Sequence, residues 1–590
     1  MIYREDTAQR QSTNSVSRGP AHQQPSISPA RVSLSAEQLS TGDQSATCDE
    51  MQEKQFRATR AIKLACVAIS LIILAAAIDA TSLSIALPIV TQRLKGTAIQ
   101  AFWTGTSYLV TSGVMQPVIG GLSHVFGRKE MVLISCAFFF VGSLICALSN
   151  DFTMMLVGRV VQGIGGGGIL ALGEILVTDL VPLEVRGLWL GIIGSTWAVG
   201  TVTGPLMGGA FAEAGHSGWR WIFWINLPMI ALGTVATVCF LRIKRLPGST
   251  FKKAQQFDWL GSVLFVASTV SFLVPVSWGG ILYDWSSWHT LVPLLLGAAG
   301  IALAILYERW LTLRTLDEEG NITSQGDLIQ PIIPFTIFCN RTLNLVFLYT
   351  MVHGCLLWSL MYFLPLYYEG VKGYKPIISG VAVLPETFLI APMSVFAGYA
   401  VSKLGRYRWA IWIGWGITIL GFGLLYLLDA NTSIPAFIFI NVPVAIGTVQ
   451  ASGRPQDAAQ SITFYSFIRV FGQSIGVAIS GAIFQNQLQK KLSQYPLLSS
   501  QAKQFSQDAT ELVSIIKAMP PGLAREQLVE AFAGALKVIW IVMTAFAAAV
   551  FFTTIFIKDY SLKQEHTTRQ GIDEGSDKDD VEKKSDDNQE

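Results

Sequence analysis

Charge is scarce in this chain of 590 residues, of which only 14% are charged and 51% are hydrophobic. The mean hydropathy is +0.46. A soluble domain of this size needs a far more polar surface, so the composition predicts that most of the chain lies in lipid. The formal net charge of +2 gives no reason to expect a nucleic-acid partner.

Cysteine pairs and catalytic signatures are also missing. The seven cysteines include no Cys-x-x-Cys pair, so the sequence offers neither a disulfide framework nor metal-ligand spacing. It contains no P-loop and no metal or nucleophile–base constellation, so we expect neither an enzyme nor a cofactor. No apolar stretch lies near the start, which argues against a cleaved signal peptide.

Long apolar runs are what the sequence has in abundance. Fourteen runs of about 20 residues are each long enough to cross roughly 30 Å of hydrocarbon. They lie near 63–90, 102–122, 131–149, 152–175, 189–211, 222–242, 259–278, 290–308, 343–367, 379–401, 409–428, 435–452, 461–485 and 535–557. Helices satisfy their own backbone groups in lipid, so we predict an all-α polytopic membrane protein.

Lysine and arginine are unevenly divided between the loops that connect these runs. With a cytoplasmic N-terminus, the short outer loops hold only Arg93, Lys95, Arg220, Lys372 and Lys375, and the inner loops hold many more. Basic residues favour the cytoplasmic side, so both termini are expected there. We expect a multi-pass protein of the plasma membrane, with the vacuolar membrane as the alternative.

The apolar runs also divide the chain into regions. These are a disordered cytoplasmic tail (1–60), an N-terminal six-helix bundle (61–243), two inserted helices with a cytoplasmic linker (244–342), a C-terminal six-helix bundle (343–557) and a disordered acidic cytoplasmic tail (558–590). Polar, aromatic-poor tails are typical of disorder. The long outer loop 486–534 carries amphipathic stretches, and there we expect a cap helix in preference to a catalytic loop.

Asp79 is the most informative single residue, because it lies inside the apolar run Leu64–Val90. A carboxylate at that depth costs several kcal/mol unless it is protonated, paired or hydrated. Thr81 and Pro88 follow it, and the combination indicates a transport pathway. The alternative is an acid held by a purely structural partner.

An internal repeat supports the division into two halves. Gly120 and Gly127–Arg128, at the inner end of the second run, recur as Gly398 and Gly405–Arg406 at the inner end of the tenth. If the seventh and eighth runs are an insertion, these are the second helices of two six-helix halves. That arrangement is the parallel repeat of secondary transporters.

Five stretches match, in order, the motifs of a known transporter family. They are Asp79–Pro88, Gly120–Lys129, Arg159–Gly168, Gly200–Gly209 and Trp219–Pro228. The second, third and fourth resemble motifs A, B and C of the major facilitator superfamily. The first and last are similar to its fourteen-helix drug:proton antiporter group, particularly fungal drug and toxin exporters. The resemblance covers roughly residues 60–560 and implies two six-helix halves plus two extra central helices.

The resemblance also implies roles for charged residues within the spans. The motif B arginine is implicated in proton transfer in the family, and Arg159 lies at much the same depth as Asp79, so the two charges can pair. A static ion pair is the alternative. Glu386 and Arg469 are the matching charges of the second half, and either could bind substrate or help move a proton. Glu174 is expected to be interfacial in preference to catalytic.

Motif A implies a gate at the inner end of the bundle. Its residues are Gly120, His124, Gly127 and Arg128, with Asp179 as the partner of the arginine. The family usually has aspartate where this chain has His124, so that acidic contact does not carry over. His124 either substitutes as a hydrogen-bonding or pH-sensitive group or leaves a weaker gate, and we favour the weaker gate.

Motif C is the antiporter signature of the family. Gly200, Gly204 and Gly208 lie four residues apart on one helical face, which permits close contact with a neighbouring helix. Pro205 frees a carbonyl and allows a bend, and Gly209 completes the motif. The resemblance implies the kinked seal of an exporter. A packing groove with no link to transport direction is the alternative.

These observations together predict a proton-coupled exporter of amphipathic organic compounds that works by alternating access as a monomer. Its partners are then the small-molecule substrate, protons and the lipid bilayer. A proton-coupled importer of siderophores or amines on the same fold is the main alternative. A membrane receptor without transport is a rival of another class, and the small tails argue against it.

Overall fold

The computed structural model describes residues 58–94, 98–215, 217–243, 249–279, 283–315, 329–437, 440, 458–507 and 509–557. Within these ranges the chain forms helices and two isolated β-bridges, with no strand. The predicted tails lie outside the described residues, apart from 58–60. The all-α prediction is therefore confirmed over the described part.

The long helices follow the predicted apolar runs. They are α1 (Arg60–Arg93), α2 (Ala98–Phe126), α3 (Arg128–Leu148), α4 (Phe152–Leu180), α5 (Leu183–Glu213), α6 (Asn226–Phe240), α7 (Trp259–Trp278), α8 (Trp288–Thr315), α9 (Arg341–Gly370), α10 (Pro376–Leu404), α11 (Arg408–Leu425), α12 (Ala458–Leu492) and α13 (Leu523–Thr553). Two short turns, Gly218–Arg220 and Trp221–Trp224, lead into α6, and a short helix, Thr250–Gln256, precedes α7.

Among the described residues, twelve helical segments are long and apolar enough to cross a membrane. The predicted run 379–401 falls inside α10. Within that helix, the stretch Val395–Leu404 is apolar but shorter than a membrane span. The run 435–452 lies almost entirely outside the described residues. The count of fourteen spans therefore stays a prediction.

The outer loop predicted over 486–534 is shorter in the structure, because the flanking helices extend beyond the apolar runs. α12 continues to Leu492 and α13 begins at Leu523. Between them lies the amphipathic helix Ala509–Ala518, which buries Leu512 and Ile516 against the second half of the chain. The second amphipathic stretch, near Glu526–Leu536, is the first part of α13 and not a separate cap helix.

Two large apolar clusters organise the packing. One lies within residues 62–241 and includes Ile69, Phe139 and Leu172. The other lies within residues 349–557 and includes Phe484 and Trp540. Each predicted six-helix bundle thus has a core of its own. The exact bundle boundaries stay a prediction.

The helices of the two halves meet along defined pairs. α5 packs on α10, and α12 packs on α2 and α4. The predicted extra helices α7 and α8 pair with each other, and α7 also contacts α2 and α12. α8 leaves many apolar side chains exposed, for example Leu295 and Leu296 at 63% and 65%. Such a face is suited to lipid.

Candidate functional site

The predicted pair of Asp79 and Arg159 lies at the centre of a sealed polar cluster in the first half. Arg159 Nη1 donates a hydrogen bond of 2.6 Å to Asp79 Oδ2. The side chains are 0% and 1% exposed. Gln162 Nε2 and Asn226 Nδ2 both donate to Asp79 Oδ1, at 2.9 and 2.7 Å. Asp79 therefore accepts from three donors on two other helices.

Arg159 makes further contacts that fix its position. Its Nε donates to the Thr104 carbonyl at 3.1 Å, its Nη1 donates to Gln162 Oε1 at 2.7 Å, and its guanidinium lies 4.4 Å from the centre of the Tyr108 ring. Gln162 also donates to Ser143 Oγ at 2.8 Å. The cluster thus joins helices α1 to α4 and the start of α6.

The glycines of motif B bring these helices together. A Cβ at Gly165 would collide with the backbone of Phe139 in α3, and one at Gly167 would collide with the Ser112 carbonyl in α2. Only glycine permits such close backbone approach on both sides of α4. The approach carries Arg159 and Gln162 into reach of Asp79.

The segment Trp219–Pro228 supplies Asn226 to the same cluster. Trp219 is fully buried, and Arg220 donates to the Ala147 and Ser149 carbonyls at 3.2 and 2.9 Å, which caps the end of α3. Cationic donors satisfy the free carbonyls at a helix C-terminus. This anchoring sets the start of α6 and therefore the position of the Asn226 amide.

The motif C helix packs directly on the helix that carries Asp79. A Cβ at Gly200 would collide with Ala77, one at Gly204 with Thr81 Oγ1, and one at Gly208 with the Ser82 carbonyl. Thr81 Oγ1 also contacts the Gly200 carbonyl at 3.1 Å. The remaining two residues of the motif, Pro205 and Gly209, lie within the same helix.

The motif A residues meet at the junction of α2 and α3. Arg128 is 3% exposed, and its Nε donates to Asp179 Oδ2 at 2.9 Å. Its other nitrogens contact Ser123 Oγ at 2.5 Å and His124 Nδ1 at 3.2 Å. Gly127 has φ +117°, which glycine adopts without strain. The structure therefore brings the predicted gate residues together, although their gating role stays a prediction.

His124 offers a test of the departure from motif A. A neutral imidazole accepts from Arg128 only through an unprotonated nitrogen, and protonation turns the contact into repulsion. We expect the gate of His124→Asp to be insensitive to inner pH between about 5 and 8. In the wild type, the contact between residue 124 and Arg128 should weaken as the inner pH falls over that range. Transport velocity against inner pH would measure this for wild type, His124→Asp and His124→Ala. Three superimposable profiles would show that the position is a bystander.

Arg469 forms an ion pair with an acid of the opposite half. Its Nη2 donates to Glu174 Oε1 of α4 at 2.8 Å, and Ser466 contacts the other carboxylate oxygen. Glu174 thus has a partner from the opposite half, because α12 crosses α4, and its expected interfacial position stays a prediction. The side chains remain 19% and 22% exposed. Glu386 lies in α10, and its side chain is outside the described residues.

Two glycine contacts also join the halves near this ion pair. A Cβ at Gly120 would collide with Thr463 of α12, and one at Gly398 would collide with the Gly187 carbonyl of α5. Gly120 and Gly398 are the repeated glycines of the sequence. Each faces the opposite half, so both repeated glycines lie where the two halves are in contact.

Sequence reasoning missed three members of these sites. Gln162 and Asn226 stand inside motifs that the sequence analysis recognised. The signal that could have found them is an amide side chain in a motif of the same family set as the buried acid Asp79. Arg186 counts as an inner-loop charge in the sequence, but it is 4% exposed and donates to the Thr178 carbonyl at 3.1 Å. It lies beside the gate residue Asp179, whose charge it partly balances.

Comparison with known proteins agrees with the geometry. A family model described as Major Facilitator Superfamily matches residues 69–278 and 259–481. The "MFS transporter L2" of Phoma sp. is 45% identical over 572 residues, which is 95% of this chain and 92% of that protein. "Efflux pump FUS6" of Gibberella fujikuroi is 34% identical over 522 residues, covering 86% and 91%.

Solved structures show the same fold. The "proton:xylose symporter XylE", with 6-bromo-6-deoxy-D-glucose bound, aligns with a TM-score of 0.50 over 86% of this chain and 98% of that one, at 13% identity. The identity is too low to carry more than the fold. With its motifs, its helical architecture and its fungal relatives, the chain belongs to the major facilitator superfamily of membrane transporters.

Proposed function

We propose that this transporter exports amphipathic organic compounds and is driven by the inward proton gradient. The observation that carries the proposal is Asp79, an intramembrane carboxylate with 0% exposure held by Arg159, Gln162 and Asn226. Relatives named as efflux pumps, such as "MFS-type efflux pump LUC4" of Fusarium sp., 34% identical over 525 residues, support the outward direction.

Coupling follows from the chemistry of the cluster. An ionised Asp79 needs Arg159, because a lone charge at this depth is costly. A proton on Asp79 removes that need, so the guanidinium is free to move while Gln162 and Asn226 can still bond the carboxyl group. Protonation thus changes which helix arrangement has the lower free energy. Substrate and proton need not touch each other.

The contacts between the halves can transmit a change in the helix arrangement around Asp79. α5 lies against Ala77, Thr81 and Ser82, on either side of Asp79, and the same helix reaches Gly398 of the second half through Gly187. A shift of α1 relative to α4 therefore moves α5, which is one of the helices along which the two halves are in contact. We call this contact between the halves the seam. Alternating access is then the opening of this seam at one end and its closure at the other.

The experiment that tests the proposal measures compound accumulation in yeast cells with and without the chain. Across a panel of amphipathic cations and neutral aromatic compounds, we expect some to accumulate several-fold less when the chain is expressed. A protonophore should abolish the difference, because it removes the gradient. Host cells without the chain provide the control for passive leakage.

The other outcomes are equally informative. Increased accumulation of a compound would make the chain an importer. Reduced accumulation that persists with the protonophore would refute proton coupling. Equal accumulation for every compound, in cells where the chain reaches the membrane, would refute multidrug export.

A further inference from the structure

A pair of buried carboxylates lies outside the cluster around Asp79, on the helices α7 and α8. Asp258 caps the start of α7 and is 1% exposed, and Glu308 lies near the end of α8 and is 7% exposed. Asp258 Oδ1 accepts from the Gly261 amide at 2.8 Å and from the Tyr307 hydroxyl at 3.1 Å. Its second oxygen and both oxygens of Glu308 remain to be accounted for.

One remaining oxygen of each carboxylate lies beside Gly261. A Cβ built on Gly261 would contact Asp258 Oδ2, and it would lie 3.1 Å from Glu308 Oε1. Within the described ranges, Asp258 Oδ2 has no hydrogen-bond partner, and the Ile332 and Ile333 amides approach Glu308 without forming a hydrogen bond of regular geometry. Buried carboxylate oxygens are normally bonded, since leaving them unpaired is costly. Two such groups side by side need something positive between them.

The part of the chain that the structure describes places no cationic side chain in an ion pair with either carboxylate. The segment over the pair, Gln330–Pro334, carries no ionisable side chain, and its Ile332 and Ile333 amides lie near Glu308. None of the ion pairs found among described residues involves Asp258 or Glu308. The basic groups on the neighbouring elements are Lys252, Lys253, Arg309, Arg314, His124 and Arg128, together with Arg469, Lys490 and Lys491 of α12.

Several of these groups are engaged elsewhere. The guanidinium of Arg309 lies over the Phe335 ring at 5.5 Å, and that of Arg314 lies over the Trp310 ring at 3.8 Å. Arg128 is held by Asp179 and touches His124. Lys252 is exposed on the short helix before α7, and Lys253 of the same helix has a contact of its own. Of the α12 groups, Arg469 is held by Glu174, and Lys491 lies against Gly534 of α13. The charge of the pair is therefore best neutralised by a proton.

We propose that Asp258 and Glu308 form a second proton-binding site, in which one carboxyl group stays protonated and donates a hydrogen bond to the other. Two carboxylates in one buried site cannot both ionise at low cost, so they share a proton. Burial raises the pKa of Asp258, in line with this sharing. Ca²⁺ and Mg²⁺ take six or more oxygen ligands and Zn²⁺ usually takes four ligands, whereas the described residues contain no group of three metal-ligating side chains.

The location gives the site a consequence for the inner gate. Phe257, next to Asp258, and Ile332, above Glu308, both pack on the position of Gly121, each 3.4 Å from a Cβ built there. Gly121 follows the motif A glycine that touches Thr463. The proton therefore holds the α7–α8 pair and its linker against the gate helix, independently of Asp79.

Thermal unfolding of the purified full-length protein tests the site without any substrate, so a negative result leaves the proposed export intact. The variants are Glu308→Gln, whose amide can donate to Asp258, and Asp284→Asn, an exposed aspartate at the other end of the same helix pair. For a group whose folded pKa is raised, stability is present at low pH and is lost as pH rises through the folded value. We expect the Tm of the wild type, minus that of Glu308→Gln at the same pH, to fall as the pH is raised from 5 to 9.

The control Asp284→Asn should follow the wild type at every pH. If Glu308→Gln does not fold, Asp258→Asn is measured in the same way, and infrared spectra of the wild type at neutral pH should contain a protonated carboxyl band that the folded variant lacks. Parallel Tm profiles for the wild type and the folded variant would overturn the proposal. So would a rise of the wild-type Tm on adding Ca²⁺ at high pH that the variant lacks, because a cation would then occupy the site.

Discussion

Asp79→Asn is expected to abolish gradient-dependent efflux and to lower the free energy of unfolding by about 3 to 5 kcal/mol. The amide keeps the shape of the side chain but cannot titrate, and it leaves Arg159, 1% exposed, without its counter-charge. Removing one partner of a buried ion pair typically costs that much. Efflux in vesicles with an imposed pH gradient and thermal unfolding of the purified variant measure the two effects.

The double variant Asp79→Asn, Arg159→Gln separates coupling from structure. It should be less destabilised than the two single losses added together, because no uncompensated charge remains, yet it should still fail to couple efflux to the gradient. Glu369→Gln is a matched control, since it removes a partly exposed ion pair with Lys517 at 3.2 Å. Wild-type gradient dependence in Asp79→Asn would disprove the coupling role.

Gly204→Leu is expected to abolish transport while the protein still reaches the membrane. Its side chain would enter the space of Thr81 Oγ1 and press on the Ile78 carbonyl, which lies 3.1 Å from the Cβ position. Overpacking costs about 1 to 3 kcal/mol, and more where backbone must shift. Because Ile78 and Thr81 stand on either side of Asp79, the displacement also disturbs the ion pair. Efflux rate and surface expression are the measurements.

The same helix offers the control. Gly194 has nothing within 4 Å of its Cβ position, so Gly194→Ala should leave transport unchanged and gain up to about 1 kcal/mol from helix propensity. Loss of transport in both variants would mean that α5 as a whole tolerates no change. Normal efflux in Gly204→Leu would leave motif C without a demonstrated role in this chain.

Hydropathy was enough to place twelve of the fourteen predicted spans, because a bilayer imposes a minimum apolar length that a spanning sequence must display. The depth of Asp79 and Arg159 could also be estimated by counting residues at 1.5 Å per residue, and the structure joins them. Motif A likewise gave the partner of Arg128. In each case the residues lie in one helix, or in helices of the first half whose motifs the sequence analysis recognised together.

Relations between distant helices were beyond the sequence. Arg469 and Glu174 are 295 residues apart, and nothing in either span indicates that α12 crosses α4. The amide of Asn226 reaches Asp79 from the start of α6, which Arg220 anchors to the end of α3. Asp258 and Glu308 gave no signal either, since an acid at a helix end is ordinarily a cap facing water. Helices that are apolar on all sides also hide which face meets which neighbour.

The Glu174–Arg469 contact differs from the Asp79–Arg159 pair in one further respect, which is its access to water. With 19% and 22% of the side chains exposed, it lies within reach of dissolved ions, and at physiological ionic strength charges are screened over about 8 Å. The sealed pair is shielded from such screening. Salt therefore acts on this contact between the halves and much less on the buried pair, so we expect a rise in ionic strength to weaken the Glu174–Arg469 contact and to leave the Asp79–Arg159 contact unchanged.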